Sequence, residues 1–112
     1  MYLSKEQIEN ILSGATPVPT KETANSSGIF TVTSAATGTN WTTFSSNQAT
    51  KVAVSNQTGT TIEVRQDGAG SGFAIPTGTI FTFAGITNTN QLSLRRVDTS
   101  NTQVTASARW EY

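Results

Sequence analysis

The chain contains no cysteine and no histidine among its 112 residues. Without cysteine there is no disulfide framework and no thiol nucleophile, and without histidine there is no imidazole general base. Zinc sites built from cysteine and histidine are excluded for the same reason. We therefore expect neither a metal centre nor a bound cofactor.

Charged side chains are also scarce: they make up 12% of the chain, and seven basic residues balance seven acidic ones. Binding to nucleic acid needs a basic excess, so we expect no nucleic-acid partner. The sequence has neither a polybasic cluster nor an apolar run of membrane-spanning length, so we expect no membrane contact. The opening stretch MYLSKEQIEN is charged where a secretion signal has its apolar stretch, and no such signal is expected.

Hydrophobic residues make up only 35% of the chain, so Thr, Ser, Asn and Gln must cover most of the surface. Low hydrophobicity accompanies disorder mainly when the net charge is high, and here the formal net charge is zero. Threonine favours pleated surfaces, while asparagine, serine and glycine favour turns. The composition therefore predicts an all-β domain with a single modest core.

The segment from Lys51 to Arg96 alternates apolar and polar side chains with a period of two. Because successive side chains of a strand point to opposite faces, this pattern predicts half-buried strands. Turn-forming residues such as Asp67-Gly68 separate the runs. We predict an antiparallel β-meander here, a preceding strand at 29–33, and a hairpin turn at 97–102 that leads into a final strand.

A single sheet cannot bury the inward faces of this many strands, so the strands are expected to form two layers. The predicted fold is an antiparallel β-sandwich of jelly-roll type with seven or eight strands. The inward positions of the alternating runs give the predicted core: Val52, Val54, Ile62, Val64, Phe73, Ile75, Phe81, Phe83, Leu92, Leu94, Val104 and Trp110.

Residues 1–28 are predicted to form an arm, and residues 29–112 the β domain. Ser4 and Gln7 have the spacing of a capping box at the start of a short amphipathic helix; a frayed terminus is the alternative interpretation. Pro17 and Pro19 favour an extended linker after it. We hypothesise that the arm is disordered in the free protein and folds against a neighbouring subunit. Five apolar side chains would then be buried there: Tyr2, Leu3, Ile8, Ile11 and Leu12.

Without cysteine and histidine, the catalytic class that remains to be considered is a hydrolase with paired carboxylates. The candidate carboxylates are Glu63, Asp67 and Asp98. Glu63 falls on the polar face of its strand, and both aspartates fall in turns. Asp67-Gly68 is a common hairpin pair, so a structural role is favoured there. We therefore expect no enzymatic activity.

Arg95 and Arg96 are adjacent in a predicted strand, so the alternation sends their guanidinium groups to opposite faces. The two side chains therefore form no basic patch. We expect one of them to pair with an acid such as Glu63 and the other to remain free for a partner.

Trp41 and Phe44 lie in a segment of small residues, 34–46, which we interpret as a long loop or an irregular strand. The favoured interpretation is that both aromatic side chains cover an edge of the sheet. An exposed Trp41 would instead provide a surface on which a sugar could stack.

The stretch from Val52 to Trp110 resembles small virion proteins of tailed bacteriophages. The resemblance lies in the pattern N-x-T-G-T-x-I-E-V-R at residues 56–65, followed by I-P-x-G at 75–78 and G-I-T-N at 85–88. More narrowly, the stretch is similar to the short jelly-roll decoration (cement) proteins that bind the outside of mature capsids. The arm lies outside the resemblance.

The resemblance implies a structural protein that binds the major capsid protein on the capsid exterior and bridges neighbouring subunits to stabilise the head. It also implies self-association at a capsid symmetry axis. The alternative hypothesis is a carbohydrate- or receptor-binding β-sandwich module of a tail fibre or a lectin, for which Trp41, Tyr2 and the loops rich in asparagine and aspartate are the supporting features. A third is an orphan structural domain of a larger assembly.

Overall fold

The structure is a computed structural model that describes residues 26–68 and 70–112. These residues form eight strands and a short 3-10 helix. The elements are β1 (Ser27–Thr33), β2 (Thr42–Thr43), β3 (Lys51–Asn56), β4 (Ile62–Gln66), β5 (Phe73–Ile75), β6 (Thr79–Ala84), the 3-10 helix (Thr89–Gln91), β7 (Leu92–Arg96) and β8 (Thr105–Glu111). The predicted N-terminal helix, the proline linker and the five apolar arm residues lie outside the described residues.

The strands form two four-stranded sheets. Sheet A has the order β1-β8-β3-β6, and sheet B has the order β2-β7-β4-β5. Every neighbouring pair is antiparallel. The all-β prediction is therefore confirmed for the described residues, and two antiparallel sheets that share one core cluster are compatible with a β-sandwich.

The predicted β-meander is wrong. Among successive strands only β4 and β5 pair with each other, while β3, β6 and β8 lie in sheet A and β4, β5 and β7 in sheet B. The predicted hairpin at 97–102 is wrong for the same reason, since it joins β7 of sheet B to β8 of sheet A. Side-chain alternation identifies the buried face of a strand but carries no information about the strand beside it.

Both sheets contribute to the core. Seven of the predicted core residues are almost completely buried: Val52, Val54, Ile62, Val64, Ile75, Leu92 and Leu94. Phe83, Val104 and Trp110 are partly buried and pack against this cluster. The prediction is wrong for Phe73 and Phe81, which are 51% and 37% exposed.

Phe73 and Phe81 are exposed because they lie on β5 and β6, the edge strands of the two sheets. Each faces inward, since Phe73 is opposite Val64 and Phe81 is opposite Val54. At an edge, however, the opposite sheet covers an inward side chain on one side only. The two rings stack against each other instead, with centroids 4.3 Å apart, and Phe83 joins them at 4.8 Å from Phe81.

Phe44 is a core residue that the alternating pattern of the strands did not predict. It is 2% exposed, although it lies just after the two-residue strand β2. Its backbone N–H donates to the carbonyl oxygen of Leu92 at 3.0 Å, which holds the ring beside β7. Its edge meets Phe30 with the ring centroids 5.7 Å apart. Ala49 and Ile86, both in loops, complete the cluster.

Candidate functional site

A cleft of about 650 Å³ lies on the outer face of sheet B, and we call it the polar cleft. Its floor comes from three strands and its walls from loops. The lining residues are Thr39, Asn40, Trp41, Thr43, Arg65, Asp67, Gly68, Asn90, Gln91 and Ser93.

The floor of the polar cleft is one row of side chains across three adjacent strands. Thr43 of β2 is opposite Ser93 of β7, and Ser93 is in turn opposite Arg65 of β4. Leu92, Leu94 and Val64, the neighbours of Ser93 and Arg65 along the strands, belong to the core. Since side chains alternate between faces, the row lies on the outer face of the sheet.

Trp41 forms one wall, and two arginines fix its position. The guanidinium carbon of Arg65 lies 4.2 Å from the centroid of the indole ring, and that of Arg95 lies 4.5 Å from it. Arg95 is held by Glu63, to which its Nε donates at 3.0 Å, and by the carbonyl oxygen of Thr39, to which Nη1 donates at 3.0 Å. Cation–π contacts therefore attach the loop before β2 to the outer face of the sheet.

The opposite wall consists of the turn after β4 and the 3-10 helix. Asp67 and Gly68 both have positive φ, 59° and 64°, as the predicted turn requires. The backbone N–H of Asp67 donates to the carbonyl oxygen of Gln91 at 2.7 Å. The side chain of Gln91 donates to Asp67 Oδ1 at 3.3 Å and accepts from the backbone of Asn88 in a capping box. These contacts fix both elements relative to each other.

Several polar groups of the cleft remain for a ligand. Asn40 and Asn90 are exposed, and the hydrogen bond that Asn90 makes to Asn88 uses its backbone N–H, not its side-chain amide. Arg65 donates through Nε to Ser93 Oγ at 3.4 Å, so its two terminal nitrogens remain to donate to a ligand. Within the described ranges, the lining carries one positive and one negative side chain, Arg65 and Asp67.

The three carboxylates considered for catalysis have separate partners. Glu63 pairs with Arg95 at 3.0 Å, Asp67 accepts from Gln91, and Asp98 pairs with Arg96 at 2.7 Å. The expected Glu63 pair with one of the two adjacent arginines is thus confirmed. The expectation of a free second arginine is wrong, because Arg96 binds Asp98 in the turn after β7.

Sequence reasoning named Trp41 as either a cover for a sheet edge or a sugar-stacking surface. Phe44 is buried in the core, while Trp41 is half-buried in the wall of the polar cleft. Arg65, Asn90 and Ser93 were not predicted as site residues, because they come together only when β4 pairs with β7, and Arg65 and Ser93 are 28 residues apart in the chain.

A second surface, the apolar groove, crosses the outer face of sheet A and has a volume of about 270 Å³. Ile29 and Ile80 line this groove, and they are 78% and 67% exposed. Between them lie the small side chains of Ala53, Ser55 and Ser107. Both isoleucines could have been found in the sequence, because each is out of phase with the inward apolar residues of its own strand.

No protein-family model matches the chain. A search of curated proteins finds no match in sequence either. In the described part of the chain, no helix is long and apolar enough to cross a membrane. Residues 26–68 and 70–112 also contain no group of three or more acidic side chains arranged to hold a metal ion.

Proposed function

We propose that the chain is a jelly-roll structural protein of a virion, which binds the outer surface of a bacteriophage capsid as a decoration protein. The observation that carries the proposal is the pairing of its strands, taken together with the sequence resemblance over Val52 to Trp110. We assign it no catalytic activity.

The strand pairing follows the rule of a jelly roll. The first strand pairs with the last strand, the second with the second-last, and so on towards the middle of the chain. The pairs are β1 with β8, β2 with β7, β3 with β6, and β4 with β5. A long antiparallel ribbon of this kind folds over into two sheets when β3 pairs with β8 and β4 with β7, and both pairings are present. Jelly rolls recur in viral capsid and lectin domains.

A fold does not by itself specify a function. The resemblance of the strands β3 to β8 to small phage virion proteins therefore favours the virion class over the lectin class. The motifs that carry the resemblance lie in turns of this chain that run from one sheet to the other. Gly59, Gly78 and Gly85 all have positive φ in these turns. The glycines of these motifs therefore meet a backbone requirement of the turns that cross from one sheet to the other, which is compatible with the proposed jelly roll.

The apolar groove of sheet A is the surface we assign to the capsid contact, with the major capsid protein as its partner. Ile29 and Ile80 are exposed apolar side chains on β1 and β6, the two edge strands of a sheet whose outer face is otherwise mainly polar, and exposed apolar patches mark protein interfaces. Complete burial of an isoleucine contributes about 1.5–3 kcal/mol, and most of the surface of Ile29 and Ile80 is still available. Ala53, Ser55 and Ser107 between them are small. Arg109, opposite Ile29, also lines the groove and is paired with Glu111.

The arm supplies the second contact in this proposal. Tyr2, Leu3, Ile8, Ile11 and Leu12 would pack on a neighbouring subunit of the capsid or on another copy of this chain. Ordering a helix of about ten residues costs nearly as much as their burial contributes, so one arm adds little affinity by itself. Many copies, each also held by its β domain, benefit from the high effective concentration of the arm.

The proposal is tested by adding the purified chain to phage heads that lack it and measuring how much sediments with the heads. The double variant Ile29→Thr/Ile80→Thr should bind at least about tenfold more weakly, while its unfolding temperature stays near that of the wild type. Val97→Thr is the matched control, because Val97 is also exposed, at 46%, but lies outside the groove. Equal binding of the double variant and the control would remove the groove from the contact, and no binding by the wild type would contradict the function.

A further inference from the structure

We propose that the polar cleft is a binding site for a neutral saccharide, independent of the capsid contact. It lies on sheet B, whereas the apolar groove lies on sheet A. A capsid bound at the groove would therefore leave the cleft open to the surroundings.

The charges of the cleft select a neutral ligand. Arg65 and Asp67 line it together, so an anion attracted by the guanidinium group is repelled by the carboxylate. A cation is attracted by the carboxylate and repelled by the guanidinium group. Arg95 adds no net charge, since Glu63 pairs with it at 3.0 Å. A phosphate or a carboxylate ligand is therefore disfavoured.

The polar groups of the cleft match neighbouring hydroxyls. A guanidinium group presents parallel N–H donors, a carboxylate presents two acceptors, and an amide presents one of each. Arg65, Asp67 and the amides of Asn40 and Asn90 supply all three kinds on one surface. Adjacent hydroxyls of a sugar ring both donate and accept, so such a ring can use every one of these groups.

Trp41 supplies the apolar part of the site. A sugar ring has a face of C–H groups, which packs against an aromatic ring, while its hydroxyls remain at the rim. The guanidinium groups of Arg65 and Arg95 lie over the indole ring and hold it in place, so little conformational entropy is lost on binding. The sugar would pack against the part of the indole that lines the cleft beside these two groups. The volume of about 650 Å³ falls within the usual range of roughly 300–1,000 Å³ for small-molecule sites.

The walls are already in position for a ligand. The hairpin turn at Asp67 and the 3-10 helix at Gln91 are bonded to each other through backbone and side chain. Asp67 Oδ1 accepts from Gln91, which leaves Oδ2 for a hydroxyl of the ligand. Asn90 follows the cap of the same helix, so its amide is carried by a fixed backbone.

The test is a titration of the full chain with a panel of neutral oligosaccharides built from glucose, galactose, mannose and N-acetylglucosamine. Trp110→Phe leaves Trp41 as the one tryptophan, since the chain has two, and its fluorescence reports binding. At least one member of the panel should give a saturable change. Asp67→Asn and Asn90→Ala should each weaken that binding by about tenfold or more, as expected for a lost hydrogen bond to a ligand.

Gln57→Ala is the control for these variants, because Gln57 is an exposed amide in a turn outside the cleft. Amide chemical shifts of the wild-type chain give a second measurement that does not depend on Trp110→Phe folding. Shifts that cluster at Trp41, Arg65 and Asn90 support the site. Absence of binding by every oligosaccharide at millimolar concentration overturns it, as does binding that survives both cleft variants. Saturable binding of inorganic phosphate at the cleft overturns the neutral-ligand assignment.

Discussion

Asn56 is a buried polar residue whose hydrogen-bonding groups are all used. It is 0% exposed at the end of β3. Its Nδ2 donates to the carbonyl oxygens of Ile75 at 2.7 Å and Thr60 at 2.8 Å, while Oδ1 accepts from both the backbone and the hydroxyl of Thr58. One side chain thus joins the end of sheet A to the edge strand of sheet B across the turn between them.

Replacement of this residue by alanine should be costly. Asn56→Ala leaves the carbonyl oxygen of Ile75 without its donor and the backbone N–H of Thr58 without its acceptor, and each buried group left unsatisfied costs about 1–3 kcal/mol. Asn90→Ala is the matched control, since its exposed side chain should contribute less than about 0.5 kcal/mol. Urea unfolding measures both. A loss for Asn56→Ala as small as that of the control would contradict the assigned bonding.

Asp98 gives the fold a dependence on pH. The hydrogen bond from Arg96, together with the backbone N–H of Ser100, holds the pKa of the Asp98 carboxyl below its ordinary value of 3.8. A lowered pKa in the folded state means that the ionised carboxylate stabilises the fold above the unfolded pKa, and that this contribution disappears as the pH falls through the lowered value. The pair is at the surface, so the effect is small.

Asp98→Asn tests this directly. At about pH 6 the variant should melt at a lower temperature than the wild type, and the gap should narrow steadily as the pH falls below 3.8. Thermal unfolding followed by circular dichroism across this range measures it. A gap that is constant with pH would show that the carboxylate charge has no part in the turn.

At the scale of the elements, the strands could be predicted from the sequence, but their partners could not. The period of two located the inward faces of β3, β4 and β7, and their valines, isoleucine and leucines are in the core. The partner of each strand depends on contacts between distant segments, such as β1 with β8. A period within one strand holds no information about such contacts.

Because strand pairing could not be predicted, only the local features of the polar cleft could be predicted from the sequence. Trp41 and the Asp67-Gly68 turn stood out in the sequence, since a lone aromatic in a loop and a turn pair are both local features. Arg65 and Ser93 did not, because they become neighbours only when β4 pairs with β7. The exposed Phe73 was assigned to the core for a related reason: alternation shows that it faces inward, whereas the exposure comes from β5 being at an edge.

The aromatic residues of core and edge should therefore differ in their contribution to stability. Phe44→Ala should lower the free energy of unfolding by roughly 3–5 kcal/mol, as for a buried aromatic side chain. Phe73→Ala should lower it by about 1–2 kcal/mol, because half of the ring is already in contact with water and mainly its stacking on Phe81 is lost. Denaturant unfolding of the two variants side by side makes the comparison, and equal losses would contradict the edge position of β5.

At the scale of the whole molecule, the two sheets carry different outer faces. Sheet A has the apolar groove, which suits a protein partner, and sheet B has the polar cleft, which suits a hydroxylated ligand. Strand alternation makes this division possible, because each strand presents one side chain to the core and the next to the surroundings. A two-layer domain can therefore bind one partner on each side.

The arm, residues 1–28, is proposed to make contacts between molecules. Deleting residues 1–14 should leave the unfolding temperature of the free chain nearly unchanged and should weaken sedimentation with phage heads. The reason is that the proposed partner of the arm is a neighbouring subunit. A truncated chain that melts well below the full chain would instead assign the arm to the core of its own domain.

Electron cryomicroscopy of phage particles produced with and without this chain shows whether the chain decorates a capsid. We expect additional density on the outer surface of the head, repeated at a symmetry axis, into which the two-sheet domain fits with sheet A towards the capsid. Heads without the chain should lack that density and should break at a lower temperature. Density on the tail, or identical heads in both preparations, would contradict the account.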